Sequence, residues 1–228
     1  MSLQENQDKA LQMFENILDK NSLRGNIIIS SLFVLLFEAL KDFIIDRPRS
    51  LYCIDTFEMK DGKFIYKENE KYKQKVRALD KKIFQASVRW FQNHDVLTAN
   101  DVSVIFKAEQ RRNVFVHEIM KVLTEGCTDE DASLFSDLVS IYRKLDSWWI
   151  FNVEFDPDDV QNPEDVTLDT CYSLSAVLLQ IIKDIALGND QPYSGWMEQI
   201  REAVRKQREV KICSTVSQSK SAKQEGEK

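Results

Sequence analysis

Glycine and proline, the two residues that most often interrupt regular structure, are scarce in this chain. Only six glycines and four prolines occur among its 228 residues. A sandwich or barrel of many short strands would need turn residues about every ten positions. Apolar residues instead recur at helical spacing along most of the sequence. We therefore expect an all-α fold, a helical bundle that forms a single domain over residues 1–213.

The helical spacing divides this domain into seven segments. A sharp stop is expected at Pro48, because proline restricts the residue before it to extended conformations. The segments are predicted at 3–20, 26–45, 68–93, 101–124, 129–151, 167–187 and 193–212.

One short part of the chain has the pattern of β-structure. Two runs of β-prone residues flank Asp61-Gly62, a pair that suits the positive φ angles of a tight turn. This predicts a small β-hairpin insertion near 51–66. The end of the chain, 214–228, is low in apolar residues and is predicted to be a disordered tail.

Charge, cysteine usage and hydropathy exclude several classes of protein. The net charge of −6 argues against a surface coated with positive charge for non-specific nucleic-acid binding, although it permits a local basic site. The four cysteines are scattered singly, which favours reduced thiols over a disulfide framework or a zinc site. The most apolar run is interrupted by Glu38, Lys41 and Asp42 and is too short to span a bilayer. We expect a cytoplasmic protein that does not contact a membrane.

The acidic segment at 154–167 resembles a calcium loop at first sight. An EF-hand loop that starts at Asp156 needs a glycine at its sixth position and a glutamate at its twelfth. Those positions hold Gln161 and Thr167. A solvated loop is the better interpretation, and we expect neither a metal site nor a cofactor.

The predicted helix at 101–124 places an arginine among its apolar residues. On a helical wheel Arg112 lies near the middle of the apolar stripe, while Asn113 and His117 share a second face. Arg111 lies on the outward polar arc. A guanidinium in a core stripe needs a partner, and Glu38 on the apolar helix is a candidate. A purely structural role for Arg112, and for His117 at a helix interface, is the simplest alternative.

The motif R-N-x-x-x-H, from Arg112 to His117, resembles the signature of HEPN domains (higher eukaryotes and prokaryotes nucleotide-binding). The resemblance implies a helical bundle of HEPN type that cleaves RNA without a metal ion. It also implies a homodimer whose motifs face one another. A subset of the family carries a tyrosine two positions after the histidine. Here Ile119 stands at that position, so regulation by modification of that tyrosine is not supported.

The motif residues suit this chemistry on physical grounds. Histidine can move the proton of a ribose 2′-hydroxyl near neutral pH, which assigns that role to His117. The guanidinium of Arg112 can hold the phosphorane oxygens at two points. Asn113 can bind the phosphate or orient His117. Arg111 flanks the motif and is a candidate RNA-binding residue.

A geometric difficulty accompanies this assignment. Residues five positions apart on a regular helix point about 140° away from each other, so Arg112 and His117 would not meet at one phosphate. Three solutions stay open: a kink near 107–113, a long Arg112 that reaches round, or a site shared by two chains. A second face with Phe106 and Met120 offers a surface for the third solution.

The sequence leaves three functions open. The first is a HEPN-type endoribonuclease, such as a bacterial toxin or abortive-infection defence effector, with RNA as substrate and an antitoxin as a possible partner. The second is a non-catalytic helical module that binds a nucleotide or a protein on the same scaffold. The third is an unrelated helical adaptor in which the motif is a coincidence.

Overall fold

The protein is a bundle of α-helices with one β-hairpin, as predicted. The computed structural model describes residues 3–61, 63–159 and 165–186, together with residue 201. The helices are α1 (Leu3–Leu18), α2 (Lys20–Tyr52), α3 (Glu70–Lys75), α4 (Ile83–Asn93), α5 (Ala99–His117), α6 (Ile119–Glu125), α7 (Asp129–Trp149) and α8 (Leu174–Ala186), and the strands are β1 (Phe57–Lys60) and β2 (Lys63–Tyr66). The predicted helix at 193–212 and the predicted tail lie outside the described residues.

The hairpin is confirmed and is shorter than predicted. β1 and β2 pair antiparallel, with Phe57 opposite Tyr66 and Lys60 opposite Lys63. Asp61, the first residue of the turn, has a φ of 52°, the left-handed conformation that the Asp-Gly pair predicted. The hairpin begins later than position 51 because α2 extends to Tyr52.

The predicted end of the second helix before Pro48 is wrong. α2 runs from its N-cap residue Asp19 through Pro48, which is buried within it. A proline inside a helix costs about 3 kcal/mol. Burial of the surrounding apolar side chains, including Phe43 and Ile44, offsets that cost because it removes a large apolar area from water.

The predicted long helix at 68–93 is broken into α3, a 3-10 turn and α4. The break is at Asp80, whose backbone is extended, with φ −159° and ψ 158°. Its Oδ1 accepts a hydrogen bond from the backbone N–H of Lys82 at 3.1 Å. Through such local hydrogen bonds aspartate disfavours helix formation. A prediction based on the spacing of apolar residues does not take these bonds into account.

The boundaries of α7 and α8 also differ from the prediction. α7 ends in a π-helical turn, Ile150–Glu154. Residues 160–164 of the acidic loop lie outside the described residues. α8 begins at Leu174 and not near 167, because Thr167–Cys171 form a hydrogen-bonded turn first.

The core lies along one face of α2, which packs against α4, α5 and α7. Edge-to-face aromatic contacts connect these helices. The Phe33 and Phe115 rings lie 5.1 Å apart, and Phe43 and Tyr142 lie 5.5 Å apart. Between α2 and α7, this packing holds α5, the helix that carries the motif.

No helix within the described ranges is long and apolar enough to cross a membrane. Cys53, Cys127 and Cys171 are free thiols. The same residues contain no cluster of three or more metal-binding side chains.

Candidate functional site

α5 begins with a capping box, and the motif lies near its C-terminal end. Thr98 Oγ1 accepts from the N–H of Asp101 at 3.1 Å, and Asp101 Oδ2 accepts from the N–H of Thr98 at 2.9 Å, which forms a capping box. The helix ends at His117, because Glu118 has φ −123° and ψ 34°. The predicted continuous helix to Thr124 is therefore interrupted. The interruption follows the motif and does not lie at 107–113, where a kink was considered.

Arg112 is paired with Glu38, the candidate partner that the sequence suggested. Arg112 Nη2 contacts Glu38 Oε1 in an ion pair, and the two side chains remain 25% and 37% exposed. Arg112 Nη1 donates to Asn113 Oδ1 at 3.1 Å. Arg112 Nε is buried and has no hydrogen-bond partner in the part of the chain that the structure describes. This guanidinium is thus held between α2 and α5 with part of its surface open to solvent.

His117 is the last residue of α5 and is exposed, as is Asn113. Among the residues that the structure describes, His117 has no hydrogen-bond or ion-pair partner. Since α5 is regular across the motif, Arg112 and His117 point about 140° apart. Within one chain the structure brings Arg112 and Asn113 together but leaves His117 on another side of the helix.

The helical wheel placed Arg111 on an outward polar arc, but in the structure this side chain faces α7. Its Nε and Nη2 donate to the two carboxylate oxygens of Asp131 at 2.5 and 2.6 Å. Its guanidinium carbon lies 4.5 Å from the centre of the Phe115 ring. The RNA contact stays a prediction, and it would require this pair to open.

Asp131 is a residue of this region whose role was not predicted from the sequence. It is 3% exposed and closes the capping box of α7 with Thr128. Burial acts to raise its pKa, but hydrogen bonds from Arg111 and Thr128 outweigh burial and bring the pKa below its usual 3.8. The pattern Thr128-x-x-Asp131 could have predicted the cap. Nothing in it points to Arg111, 20 positions earlier in the chain.

Burial and the nearby Asp131 charge raise the pKa of the Cys127 thiol to about 11. This thiol is therefore protonated at neutral pH and is a poor nucleophile.

Exposed apolar side chains lie next to His117 in the sequence. Val116, Ile119 and Met120 are 41%, 39% and 66% exposed. Phe106, the other residue predicted to line a dimer surface, instead packs against Phe84 with a centroid distance of 6.4 Å. Of the two residues predicted to line a dimer surface, Met120 is therefore exposed near the junction of α5 and α6, whereas Phe106 packs against α4.

No family model matches this chain, and comparisons with curated proteins and with solved structures give no match. The resemblance to HEPN domains therefore depends on the motif from Arg112 to His117 and on its position in a helical bundle.

Proposed function

We propose that this protein is a metal-independent endoribonuclease of HEPN type whose site is completed when two copies meet. The observation that carries the proposal is that Arg112 and His117 are both open to solvent but lie on different sides of α5. The guanidinium of Arg112 is partly exposed, and the exposed imidazole of His117 is flanked by exposed apolar residues. We place the protein in the cytoplasm as a toxin or defence effector that acts on cellular RNA.

Two copies are part of the proposal because one copy lacks a convergent site. In a two-fold contact each surface meets its own equivalent, so that each copy's His117 can approach the Arg112 of the other. Val116, Ile119 and Met120 supply apolar area for such a contact. Burying them removes the cost of their exposure to water.

The proposed reaction is a transesterification. His117 takes the proton of a ribose 2′-hydroxyl, the 2′-oxygen attacks the adjacent phosphorus, and the bond from phosphorus to the 5′-oxygen breaks. Arg112 binds the oxygens on which negative charge develops, and Asn113 positions the phosphate. The 5′-oxygen takes a proton from water, and the hydroxide that this leaves takes up the proton held by His117, which restores the neutral imidazole. The products are a 2′,3′-cyclic phosphate and a 5′-hydroxyl end.

Glu38 has a defined part in this proposal. Its carboxylate occupies one edge of the Arg112 guanidinium, so the RNA phosphate competes with it for the same donors. The two side chains are 25% and 37% exposed, although the contacting Glu38 Oε1 is itself buried, so we expect the exchange to cost little more than the about 0 to 1 kcal/mol of an exposed ion pair.

RNA cleavage by the purified protein in EDTA tests the proposal. We expect Arg112→Ala and His117→Ala each to lower the rate by about a hundredfold or more. His94→Asn is the matched control, since it removes the other histidine, whose Nδ1 bonds to the Trp90 carbonyl at 2.7 Å. Circular dichroism checks that every variant is folded, and solution mass checks the dimer.

Equal cleavage by the wild type and all variants would identify a contaminating nuclease and refute the proposal. Loss of cleavage in His94→Asn to the same extent as in His117→Ala would refute the assignment of His117. A monomeric protein that cleaves RNA would refute the shared site.

A second candidate function is the non-catalytic helical binding module. Two observations favour it: the guanidinium of Arg112 is paired with Glu38, and that of Arg111 is paired with Asp131. In such a protein Arg112→Ala would change stability without any effect on RNA. Absence of cleavage across cellular RNA fractions would favour this function.

A further inference from the structure

One cleft of the protein shares no lining residue with the motif. The cleft has a volume of about 490 Å³ and lies between α7, the turn before α5, the turn at Thr167–Cys171 and the middle of α8. This volume falls within the range of small-molecule sites. The residues that carry the argument are Asp95, Val139, Arg143, Trp148, Leu168 and Asp169.

Trp148 differs from the two tryptophans that it contacts. Trp90 Nε1 donates to the Tyr52 hydroxyl at 3.3 Å, and Trp149 Nε1 donates to Glu154 at 2.9 Å. Trp148 packs edge-on against Trp90. In the described ranges, no group accepts a hydrogen bond from its indole N–H. The cleft is therefore lined by an indole that retains a spare donor.

The cleft is also lined by three charged side chains that are exposed to solvent, those of Asp95, Arg143 and Asp169. Of the residues that the structure describes, none forms an ion pair or a side-chain hydrogen bond with Asp95, Asp169 or Arg143. Arg143 lies over the Tyr172 ring at 5.4 Å and keeps all its donors. By contrast, Lys144 in the same cleft is paired with Asp101 at 2.8 Å.

A tight turn positions Asp95 at this cleft. Its φ of 58° lies in the left-handed region, which aspartate tolerates better than most residues. The N–H of Asp95 bonds to the Gln92 carbonyl at 3.0 Å, and the N–H of Val96 bonds to the Phe91 carbonyl at 3.1 Å. The turn thus holds a carboxylate beside the cleft without using it for a cap or an ion pair.

We infer that this cleft binds a small zwitterion of the α-amino acid class with an apolar or aromatic side chain. Asp95 and Asp169 provide the negative charge that an ammonium group needs. Arg143 and the N–H of Trp148 provide donors for a carboxylate.

The walls of the cleft select the side chain and exclude other ligands. Val139, Leu168 and the Trp148 ring offer apolar surface to an aliphatic or aromatic group. RNA and nucleotides are disfavoured, because their phosphates would meet two unpaired carboxylates at one site. The inference is independent of the proposed nuclease, since neither Arg112 nor His117 lines the cleft.

Calorimetric titration of the full-length protein with L-phenylalanine and L-leucine tests this inference. 2-Phenylethylamine lacks the carboxylate and 3-phenylpropanoate lacks the ammonium group, so each should bind at least about tenfold more weakly than L-phenylalanine. Adenosine monophosphate serves as the anionic alternative and is expected not to bind.

Variants assign the binding to the cleft. Asp95→Asn and Arg143→Gln should each raise Kd about tenfold or more, whereas Trp148→Phe keeps a ring and should raise it only a few-fold. Asp55→Asn and Arg24→Gln are matched controls, since both residues are exposed and line no part of the cleft. Thermal melts verify that each variant is folded.

Three results would overturn the inference. One is the absence of saturable binding of either amino acid at millimolar concentration. Another is an affinity for 2-phenylethylamine or adenosine monophosphate that equals or exceeds that for L-phenylalanine. The last is unchanged binding in both Asp95→Asn and Arg143→Gln.

Discussion

Two adjacent arginines on α5, Arg111 and Arg112, have contrasting environments. Arg111 makes two hydrogen bonds to Asp131, which is 3% exposed, and covers the Phe115 ring. Arg112 makes one ionic contact with Glu38, which is 37% exposed, and one hydrogen bond to Asn113. The two guanidiniums belong to consecutive residues of one helix, so the contrast arises from the helices that they face.

The difference shows that an arginine stays in its ion pair when the partner carboxylate is buried and can change partners when that carboxylate is exposed. A buried carboxylate loses its water, and donors of the protein, here Arg111 and Thr128, must replace that water, so the pair is locked. A carboxylate near the surface keeps water as an alternative partner. Arg111 therefore connects α5 to α7, while Arg112 can exchange Glu38 for water.

The largest expected effect comes from removing the buried partner. Asp131→Asn leaves Arg111 without its charge and weakens the α7 cap, and we expect it to lower the free energy of unfolding by about 3 kcal/mol. Asp137→Asn, an exposed aspartate on the same helix, is the matched control and should cost less than about 0.5 kcal/mol. Urea unfolding measures both. Similar losses in the two variants would contradict the locked pair.

A second test uses Cys127, which lies beside this pair. Its pKa of about 11, where 9.0 is usual, leaves little thiolate. At pH 8 it should react with iodoacetamide about a hundredfold more slowly than in the unfolded chain. Peptide mapping by mass spectrometry follows this cysteine alone. A rate equal to that of the unfolded chain would show that the thiol is neither buried nor close to the Asp131 charge.

A third test uses acid. The pKa of Asp131 is lowered in the folded chain, so its stabilising effect is complete above the unfolded pKa of about 3.9 and is lost as the pH falls through the folded pKa. The stability difference between the wild type and Asp131→Asn should therefore shrink from pH 6 to pH 3. Urea unfolding at several pH values measures it, and a difference that grows in acid would contradict this sign.

The smallest effect is expected for Arg112. Glu38→Gln should change the free energy of unfolding by less than about 1 kcal/mol, because the pair is partly exposed. If the proposed nuclease function holds, this variant should also cleave RNA with a lower KM, since Glu38 no longer competes with phosphate. A loss of stability as large as that of Asp131→Asn would show that the two ion pairs contribute equally to stability and would contradict the contrast between the two arginines.

Much of the architecture could be predicted because it follows from local patterns. The helical spacing and the β-hairpin with its turn at Asp61 each depend on neighbours within a few positions, and the structure contains both. The predicted stop at Pro48 failed for the opposite reason. Whether a helix tolerates a proline depends on the burial of its other residues, which comes from distant segments.

In the motif, too, local patterns predict some features, and others depend on distant segments. The position of Arg112 in an apolar stripe required a carboxylate partner, and the pattern alone was enough to suggest Glu38. The partner of Arg111 was not suggested, because the wheel showed a polar arc and gave no sign that α7 would pack against it. No pattern indicated the break at Glu118 either.

The sequence by itself determined the helical class, the hairpin and the spacing of Arg112 and His117, since these depend on local periodicity and turn chemistry. Only the tertiary structure decided which charges are paired and which stay open, at Asp131, Glu38 and the Trp148 cleft. The reason is that an ion pair or a cleft depends on which helices pack together. That packing is set by the sum of many weak apolar contacts across the core, and no single segment contains it.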